Sequence, residues 1–249
     1  MSKTLKSSRL DQLLVEQGHF QSRETAQRAI MAGEVSVSGT VVDKASAKIA
    51  RDAAISIREA SRYVGRGGLK LEGALRHFSI DVSGWTALDI GASTGGFTDC
   101  LLQKGARKVY AIDVGHGQLS WKIRNDARVV VREKLNARFL ASADAPEPID
   151  LAVIDVSFIS LTLILPKVFQ LVTPNGMVLA LIKPQFEVQA ADVGRGGIVR
   201  EPALHAKAQE KIRAFVVAAG HEVAGLVPSE ITGTDGNQEF FICVRTKSA

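Results

Sequence analysis

The turn at residues 88–98 has the sequence Leu88-Asp89-Ile90-Gly91-Ala92-Ser93-Thr94-Gly95-Gly96-Phe97-Thr98. It follows an apolar segment and precedes a predicted helix, and its glycines let the backbone approach a ligand closely. It differs from a phosphate-binding loop because no Gly-Lys-Ser/Thr follows, and from a dinucleotide fingerprint because its spacing is G-x-x-x-G-G. The turn therefore predicts a ligand site at a strand–helix junction of an α/β sheet.

A second strand is predicted to end at Asp113, about 20 residues beyond this turn, where an acid commonly binds ribose hydroxyls. A glycine turn followed by such an acid suits an adenosine-containing ligand without a pyrophosphate, and S-adenosylmethionine fits that description. A tight turn with a capping aspartate is the structural alternative. The predicted cofactor-binding residues are Asp89, Gly91, Ala92, Ser93, Gly95, Gly96, Phe97, Asp113, Asn136 and Asp155.

The rest of the chain beyond the turn alternates short apolar runs with helical segments. Strands are predicted at 87–90, 108–114, 129–132, 151–155, 177–182 and 240–244. Helices are predicted at 96–104, 118–124, 161–171 and 203–219. Repeated strand–helix units favour a doubly wound, mostly parallel, Rossmann-like sheet.

The N-terminal quarter has a different pattern. Residues 9–33 predict two short helices, the second capped by Ser22, and a hairpin around Ser38-Gly39 and a short strand at 55–57 follow. This is a compact α+β module. Residues 61–67 are basic and rich in glycine, which is typical of a linker. The predicted domains are therefore 1–60, a linker at 61–67, and 68–249.

Charge is unevenly distributed along the 249 residues, although the net charge is only +5. Residues 1–66 contain 11 Lys and Arg against 7 Asp and Glu, whereas the remainder contains 20 against 19. The excess indicates a basic module for an anionic partner such as RNA. The candidate RNA-binding residues are Arg23, Arg28, Arg51, Arg62 and Arg66, each of which could instead be a solvated surface charge.

Composition excludes several classes of protein. Hydrophobic residues make up 46% of the chain, enough for a sizeable core and too many for bulk disorder. The two cysteines, Cys100 and Cys243, lie in apolar stretches and are predicted to be buried. No Cys/His spacing indicates a metal site. No signal peptide and no apolar run of about 18 residues is evident, which predicts a cytoplasmic protein.

Four charged residues lie at the ends of predicted elements: Lys70, Asp155, Lys183 and Glu239. The carboxyl ends of parallel strands meet at one edge of such a sheet, where ligands bind. A lysine directly after a buried strand is costly unless it is paired or uncharged. Simpler interpretations are a helix cap for Asp155, a snorkelling lysine at 183 and a helix-surface charge at 70.

Six strings together resemble a known family. They are G-R-G-G-L-K-L at 65–71, D-I-G-A-S-T-G-G-F-T at 89–98, A-I-D-V-G-H-G-Q-L at 111–119, D-V-S-F-I-S-L at 155–161, L-I-K-P-Q-F-E at 181–187 and G-N-Q-E-F-F at 236–241. In this order they look like the TlyA family, also called hemolysin A and described as ribosomal RNA 2′-O-methyltransferases. The resemblance extends from about Arg9 to Val244.

The resemblance implies a function and a catalytic set. The C-terminal part is similar to FtsJ/RrmJ methyltransferases, whose Lys-Asp-Lys-Glu tetrad matches Lys70, Asp155, Lys183 and Glu239. Residues 9–39 resemble the RNA-binding domain named after ribosomal protein S-four. The family implies S-adenosylmethionine as cofactor, no metal, and a ribosomal RNA cytidine, free or in a ribosomal subunit, as substrate.

Three alternatives remain open at this stage. A membrane-active hemolysin would need an amphipathic or apolar membrane element. A ribosome-assembly factor with a vestigial methyltransferase site would bind RNA without catalysis. A nicotinamide-dependent oxidoreductase is disfavoured by the glycine spacing.

Overall fold

The computed structural model describes residues 7–31, 33–57 and 62–248. The chain divides into two compact units, Met1–Ser61 and Arg62–Ala249. None of the helices in the described ranges is both long enough and apolar enough to cross a membrane.

The first unit is a small α+β module with its own core. Its elements are β1 (Ser7–Arg9), α1 (Leu10–Glu16), α2 (Arg23–Met31), β2 (Val35–Val37), β3 (Thr40–Val41), β4 (Lys48–Ala50) and β5 (Ile55–Ile57). Strands β1 and β4 pair antiparallel, and β2 lies between β3 and β5 in a second antiparallel sheet. The helices bury Leu10, Leu14, Ala26 and Ile30 against Val35. The two predicted helices, the hairpin and the 55–57 strand are confirmed.

Residues 62–66 of the predicted linker pack onto the second unit, and residue 61 lies outside the described residues. Tyr63 is buried, and the Val64 N–H donates to the Asp99 carboxylate at 2.9 Å. A Cβ on Gly68 would lie 2.3 Å from Cγ of Tyr63. Glycine at this position therefore allows close packing of the tyrosine ring. Composition alone does not distinguish a glycine needed for packing from a glycine in a flexible linker.

The second unit is the predicted doubly wound, mostly parallel sheet. Its strands are β6 (Thr86–Ile90), β7 (Lys108–Ile112), β8 (Val129–Arg132), β9 (Ile149–Ile154), β10 (Val172–Ile182), β11 (Glu222–Pro228) and β12 (Phe240–Arg245). Its helices are α3 (Gly67–His77), α4 (Gly96–Gln103), α5 (Trp121–Arg124), α6 (Leu165–Phe169) and α7 (Pro202–Ala218). The strand order is β11-β12-β10-β9-β6-β7-β8, and β12 is antiparallel to both of its neighbours.

The sheet separates two apolar layers. Leu88, Ile154 and Ile242 point to one layer, whereas Val153 and Phe241 point to the other. This alternation is expected because successive side chains along a strand face opposite sides of the sheet. Both cysteines are buried, as predicted.

In the first unit, β1 and β4 were not predicted, and in the second unit two strands and one helix differ most from the sequence predictions. Strand β11 was not predicted, because it is a half-exposed edge strand whose pairing shifts register between Val223 and Gly225. Strand β10 starts at Val172, earlier than predicted. Its pairing with β9 shifts register between Val172 and Met177, and residues 173–176 interrupt the apolar pattern from which the strand was predicted. The helix predicted at 161–171 is a 3-10 turn, Leu161–Leu163, followed by α6, because Pro166 lacks the N–H that a continuous helix needs.

Candidate active site

A cavity of about 980 Å³ opens at the carboxyl ends of β6, β7 and β9. These strands flank the point where the strand order reverses, which is where open α/β sheets bind ligands. Five of the predicted cofactor residues line this cavity: Gly91, Ser93, Asp113, Asn136 and Asp155. We call it the cofactor cavity.

Gly91 shows why the turn after β6 needs glycine. Its φ is +84°, in the left-handed region, and a Cβ would lie 2.3 Å from the carbonyl oxygen of Asp155. A residue type with a Cβ atom could not adopt this conformation and also lie this close to the Asp155 carbonyl group. The glycine therefore brings the ends of β6 and β9 together at the cavity.

Asp113 is held in a defined orientation at the end of β7. Its Oδ2 accepts the Ser93 N–H and its Oδ1 accepts the Gly115 N–H, both at 2.7 Å. Each carboxylate oxygen has a second lone pair available for a ligand hydroxyl. Asn136, after β8, caps the 3-10 turn Ala137–Phe139 by accepting the Arg138 N–H at 3.0 Å.

The other predicted cofactor residues, Asp89, Ala92, Gly95, Gly96 and Phe97, are buried behind the cavity wall and do not line it. A Cβ on Gly95 would lie 3.0 Å from Leu119, and one on Gly96 would lie 3.0 Å from the Gly68 backbone. These glycines admit neighbouring protein segments. The glycines in the sequence predict close approach of a ligand to the turn, whereas at Gly91, Gly95 and Gly96 the group that approaches most closely is another part of the protein.

Asp89 is fully buried at the end of β6. Its Oδ2 accepts a hydrogen bond from Thr98 Oγ1 at 2.6 Å, whereas its Oδ1 has no hydrogen-bond partner within the described ranges. Burial raises the pKa of Asp89 to about 7 from its ordinary value of 3.8. A neutral carboxyl group is therefore favoured in the folded protein.

Replacing Asp89 is expected to change how stability depends on pH. The folded protein holds the Asp89 proton up to about pH 7, whereas the unfolded chain releases it near its ordinary pKa of 3.8. The contribution of this proton to the free energy of unfolding is therefore complete below pH 3.8. It is lost as pH rises from there through about 7, by up to about 1.4 kcal/mol per pH unit. Asp89→Asn should gain stability relative to wild type over that interval in urea unfolding, and a pH-independent difference would refute the assignment.

The four predicted catalytic residues form two ion pairs. Lys70 Nζ lies 2.5 Å from Glu239 Oε2, and Lys183 Nζ lies 2.6 Å from Asp155 Oδ1. Lys183 also donates to Ser157 Oγ at 3.0 Å. The lysine side chains are only 10% and 11% exposed, so neither is a free surface charge.

A second cavity of about 360 Å³ adjoins the first, and we call it the acceptor cavity. Lys183 and Glu239 line it, whereas Asp155 lines the cofactor cavity. The two cavities share Ser157, Phe158 and Phe186 as lining residues. The Lys183–Asp155 ion pair therefore lies where the two cavities meet.

The two phenylalanines in this shared wall were not singled out from the sequence. Phe158 is 91% exposed, its φ is +64°, and its ring centroid lies 5.1 Å from that of Phe186. Both residues stand within the D-V-S-F and K-P-Q-F-E strings. The sequence signal that could have identified them is a phenylalanine three positions after each of the predicted catalytic residues Asp155 and Lys183.

Four of the predicted RNA-binding arginines have partners within the protein. Arg51 pairs with Glu16 and Arg62 pairs with Glu72, and both remain about half exposed or more. The Arg66 guanidinium donates to the Thr232 carbonyl oxygen at 3.1 Å. Arg23 donates at 2.9 Å to Asp11, which is fully buried.

Arg23 therefore has a structural role that the sequence interpretation did not include. Hydrogen bonds from Arg9, Gln27 and Arg23 hold the pKa of Asp11 well below its ordinary range. Arg28 lies exposed on α2. In the first unit, Arg28 is therefore an exposed arginine, whereas Arg23 also stabilises the fold through Asp11.

Comparison with known proteins agrees with these features. Residues 63–246 match the FtsJ-like methyltransferase family, and residues 8–55 match the S4 domain family. The 16S/23S rRNA (cytidine-2′-O)-methyltransferase TlyA of Mycobacterium tuberculosis is 41% identical over 243 residues, which cover 97% of this chain and 91% of that protein. Hemolysin A of Brachyspira hyodysenteriae is 42% identical over 233 residues, covering 93% and 97%.

A solved structure supports the same assignment. A protein described as a hemolysin, from Streptococcus thermophilus, is 44% identical, with a TM-score of 0.75 and coverage of 99% of this chain and 90% of that one. The resemblance inferred from the six strings is thereby confirmed. The chain belongs to the TlyA/hemolysin A family and carries an S4 domain followed by an FtsJ-like methyltransferase domain.

Proposed function

We propose that this chain transfers a methyl group from S-adenosylmethionine to the ribose 2′-hydroxyl of a cytidine in ribosomal RNA. One observation carries the proposal: the Lys183–Asp155 ion pair lies where the cofactor cavity meets the acceptor cavity. A transferase needs two adjoining sites, one for each substrate, and a polar group between them can align or deprotonate the acceptor. The relative from Mycobacterium tuberculosis supplies the substrate class through its name.

The cofactor cavity fits S-adenosylmethionine in size and chemistry. Its volume of about 980 Å³ is ample for a nucleoside ligand. Asp113 would accept hydrogen bonds from the ribose hydroxyls, and Asn136 would lie beside the adenine base of the cofactor. Gly91 lines the cavity, and its lack of a Cβ lets the ends of β6 and β9 meet there. When bound, S-adenosylmethionine supplies an electrophilic methyl group.

Lys183 would act on the acceptor hydroxyl. A ribose hydroxyl is a weak nucleophile, so it must be aligned and must lose its proton during transfer. Lys183 Nζ can accept that proton only while the amine is uncharged. The Asp155 carboxylate then stabilises the ammonium that forms. Alignment can supply about 7–11 kcal/mol of the barrier, whereas general-base catalysis contributes about 10²–10⁴-fold. Positioning of the hydroxyl is therefore at least as important as proton removal.

Lys70 and Glu239 would support this group from the other side of the acceptor cavity. Glu239 lines that cavity and binds Lys70 Nζ, so it orients the lysine. Lys70 lines neither cavity, so it would act through Glu239 and increase the positive field around Lys183. The arginines of the first unit would hold the RNA backbone.

Calorimetry with S-adenosylmethionine tests the cofactor part of the proposal. Wild type is expected to bind, and Asp113→Asn is expected to bind about 10-fold more weakly or worse, because a hydrogen bond to a charged group is lost. Asp126→Asn is the matched control: its carboxylate also accepts a backbone N–H, from Arg128, outside the cofactor cavity. No binding by wild type would overturn the function, and unchanged affinity in Asp113→Asn would overturn the role of Asp113.

A further inference from the structure

We infer that Glu187 is a positioning residue for methyl transfer, holding in place the wall shared by the two cavities. The inference rests on the proposed function, since it concerns the same site. Glu187 follows the 3-10 turn Pro184–Phe186 and is 6% exposed. It lines neither cavity, so it acts only through its neighbours.

The Glu187 carboxylate binds three donors from two parts of the chain. Oε1 accepts the Leu161 N–H at 2.7 Å. Oε2 accepts Ser160 Oγ at 2.6 Å and Lys211 Nζ at 2.8 Å. Lys211 also donates to the Glu187 carbonyl oxygen at 2.9 Å. A buried carboxylate is costly without such partners, and Lys211 supplies the opposite charge.

These contacts join the two loops that carry the catalytic ion pair. Ser160 and Leu161 lie in the loop after β9, which also contains Asp155 and Phe158. Glu187 lies in the loop after β10, four residues beyond Lys183. Lys211 on α7 contacts both loops, through Ser160 Oγ at 3.3 Å and the Glu187 carboxylate. Glu187 therefore determines how the Asp155 loop and the Lys183 loop lie relative to each other.

The consequence for the reaction concerns alignment. The shared wall consists of Ser157 and Phe158 from one loop and Phe186 from the other, and the Lys183–Asp155 pair spans the same two loops. If the loops separate slightly, Lys183 no longer lies in line between the cavities. A misplacement of about 1 Å can reduce a rate about 10²-fold without loss of binding.

The test uses Glu187→Gln, which keeps the shape but replaces one oxygen with an amide nitrogen. If the amide oxygen accepts the Leu161 N–H, its NH₂ faces the Lys211 ammonium, so two donors oppose each other. Lys211→Met in the same chain removes that conflict and lets the Ser160 hydroxyl accept from the amide. We expect kcat of Glu187→Gln to fall about 10–100-fold with KM for S-adenosylmethionine within about threefold, and the double variant to recover most of the loss.

Hydrogen exchange supplies a readout that does not depend on activity. Amides 157–164 should exchange faster in full-length Glu187→Gln than in wild type, and protection should return in the double variant. Wild-type kcat together with unchanged exchange would overturn the inference, as would a lower Tm with unchanged kcat or a double variant as slow as Glu187→Gln. If wild type itself does not methylate RNA, the proposed function fails, and the exchange measurement alone decides the role of Glu187.

Discussion

Lys183→Ala is expected to reduce methyl transfer to RNA by about 10²–10⁴-fold at saturating S-adenosylmethionine. The reduction should appear in kcat, because Lys183 lines the acceptor cavity and not the cofactor cavity. Affinity for S-adenosylmethionine should stay within a few-fold of wild type by calorimetry. The variant removes both the proton acceptor and the partner of Asp155, so alignment and proton transfer are lost together.

A matched lysine distinguishes this effect from a general loss of charge. Lys207 pairs with Asp192 on the surface and lines neither cavity. Lys207→Ala should therefore keep wild-type kcat. Activity of Lys183→Ala near that of wild type would refute its role, and an equal loss in Lys207→Ala would show that the assay reports only bulk charge.

Removing residues 1–60 is expected to abolish measurable methylation of RNA while leaving S-adenosylmethionine binding intact. The deleted part carries Arg23, Arg28 and Arg51 of the candidate RNA-binding residues, and phosphate contacts dominate the affinity of proteins for nucleic acids. The cofactor cavity is lined entirely by residues 90–186 of the second unit. We therefore expect RNA methylation to fall about 10²-fold or more and the calorimetric Kd for S-adenosylmethionine to change little.

Salt dependence gives this truncation a second readout. RNA binding by the full chain should weaken steeply as salt rises, because Lys and Arg release counterions from phosphates. The truncated chain should show a shallower slope. Full RNA activity in the truncated chain would contradict the assignment of RNA binding to the first unit.

Much of the second unit could be predicted because its strands are short, apolar and buried on both faces. Their carboxyl ends gather at one edge, so Asp113, Asp155 and Lys183 could be assigned to one site from their positions alone. Strand β11 escaped because an edge strand carries a weaker apolar pattern. The start of β10 escaped because residues 173–176 interrupt its pattern.

The details of the site depend on contacts that sequence position does not reveal. Gly91 and Gly95 look alike in sequence, yet one lines the cofactor cavity and the other packs against Leu119. The pairing of Lys70 with Glu239 joins residues 169 positions apart. In the sequence, Glu187 was only part of a motif. Its positioning role depends on hydrogen-bond donors 24 and 26 positions away, which only the structure shows.

The most direct test of the account is transfer of labelled methyl from S-adenosylmethionine to ribosomal RNA, supplied free and in each ribosomal subunit, followed by mapping of the modified nucleotide. Wild type is expected to label a cytidine at its ribose 2′-oxygen in at least one of these substrates, and Lys183→Ala is expected to label it about 10²–10⁴-fold more slowly. Label on a base, or no label in any ribosomal RNA with wild-type protein that binds S-adenosylmethionine, would contradict the account.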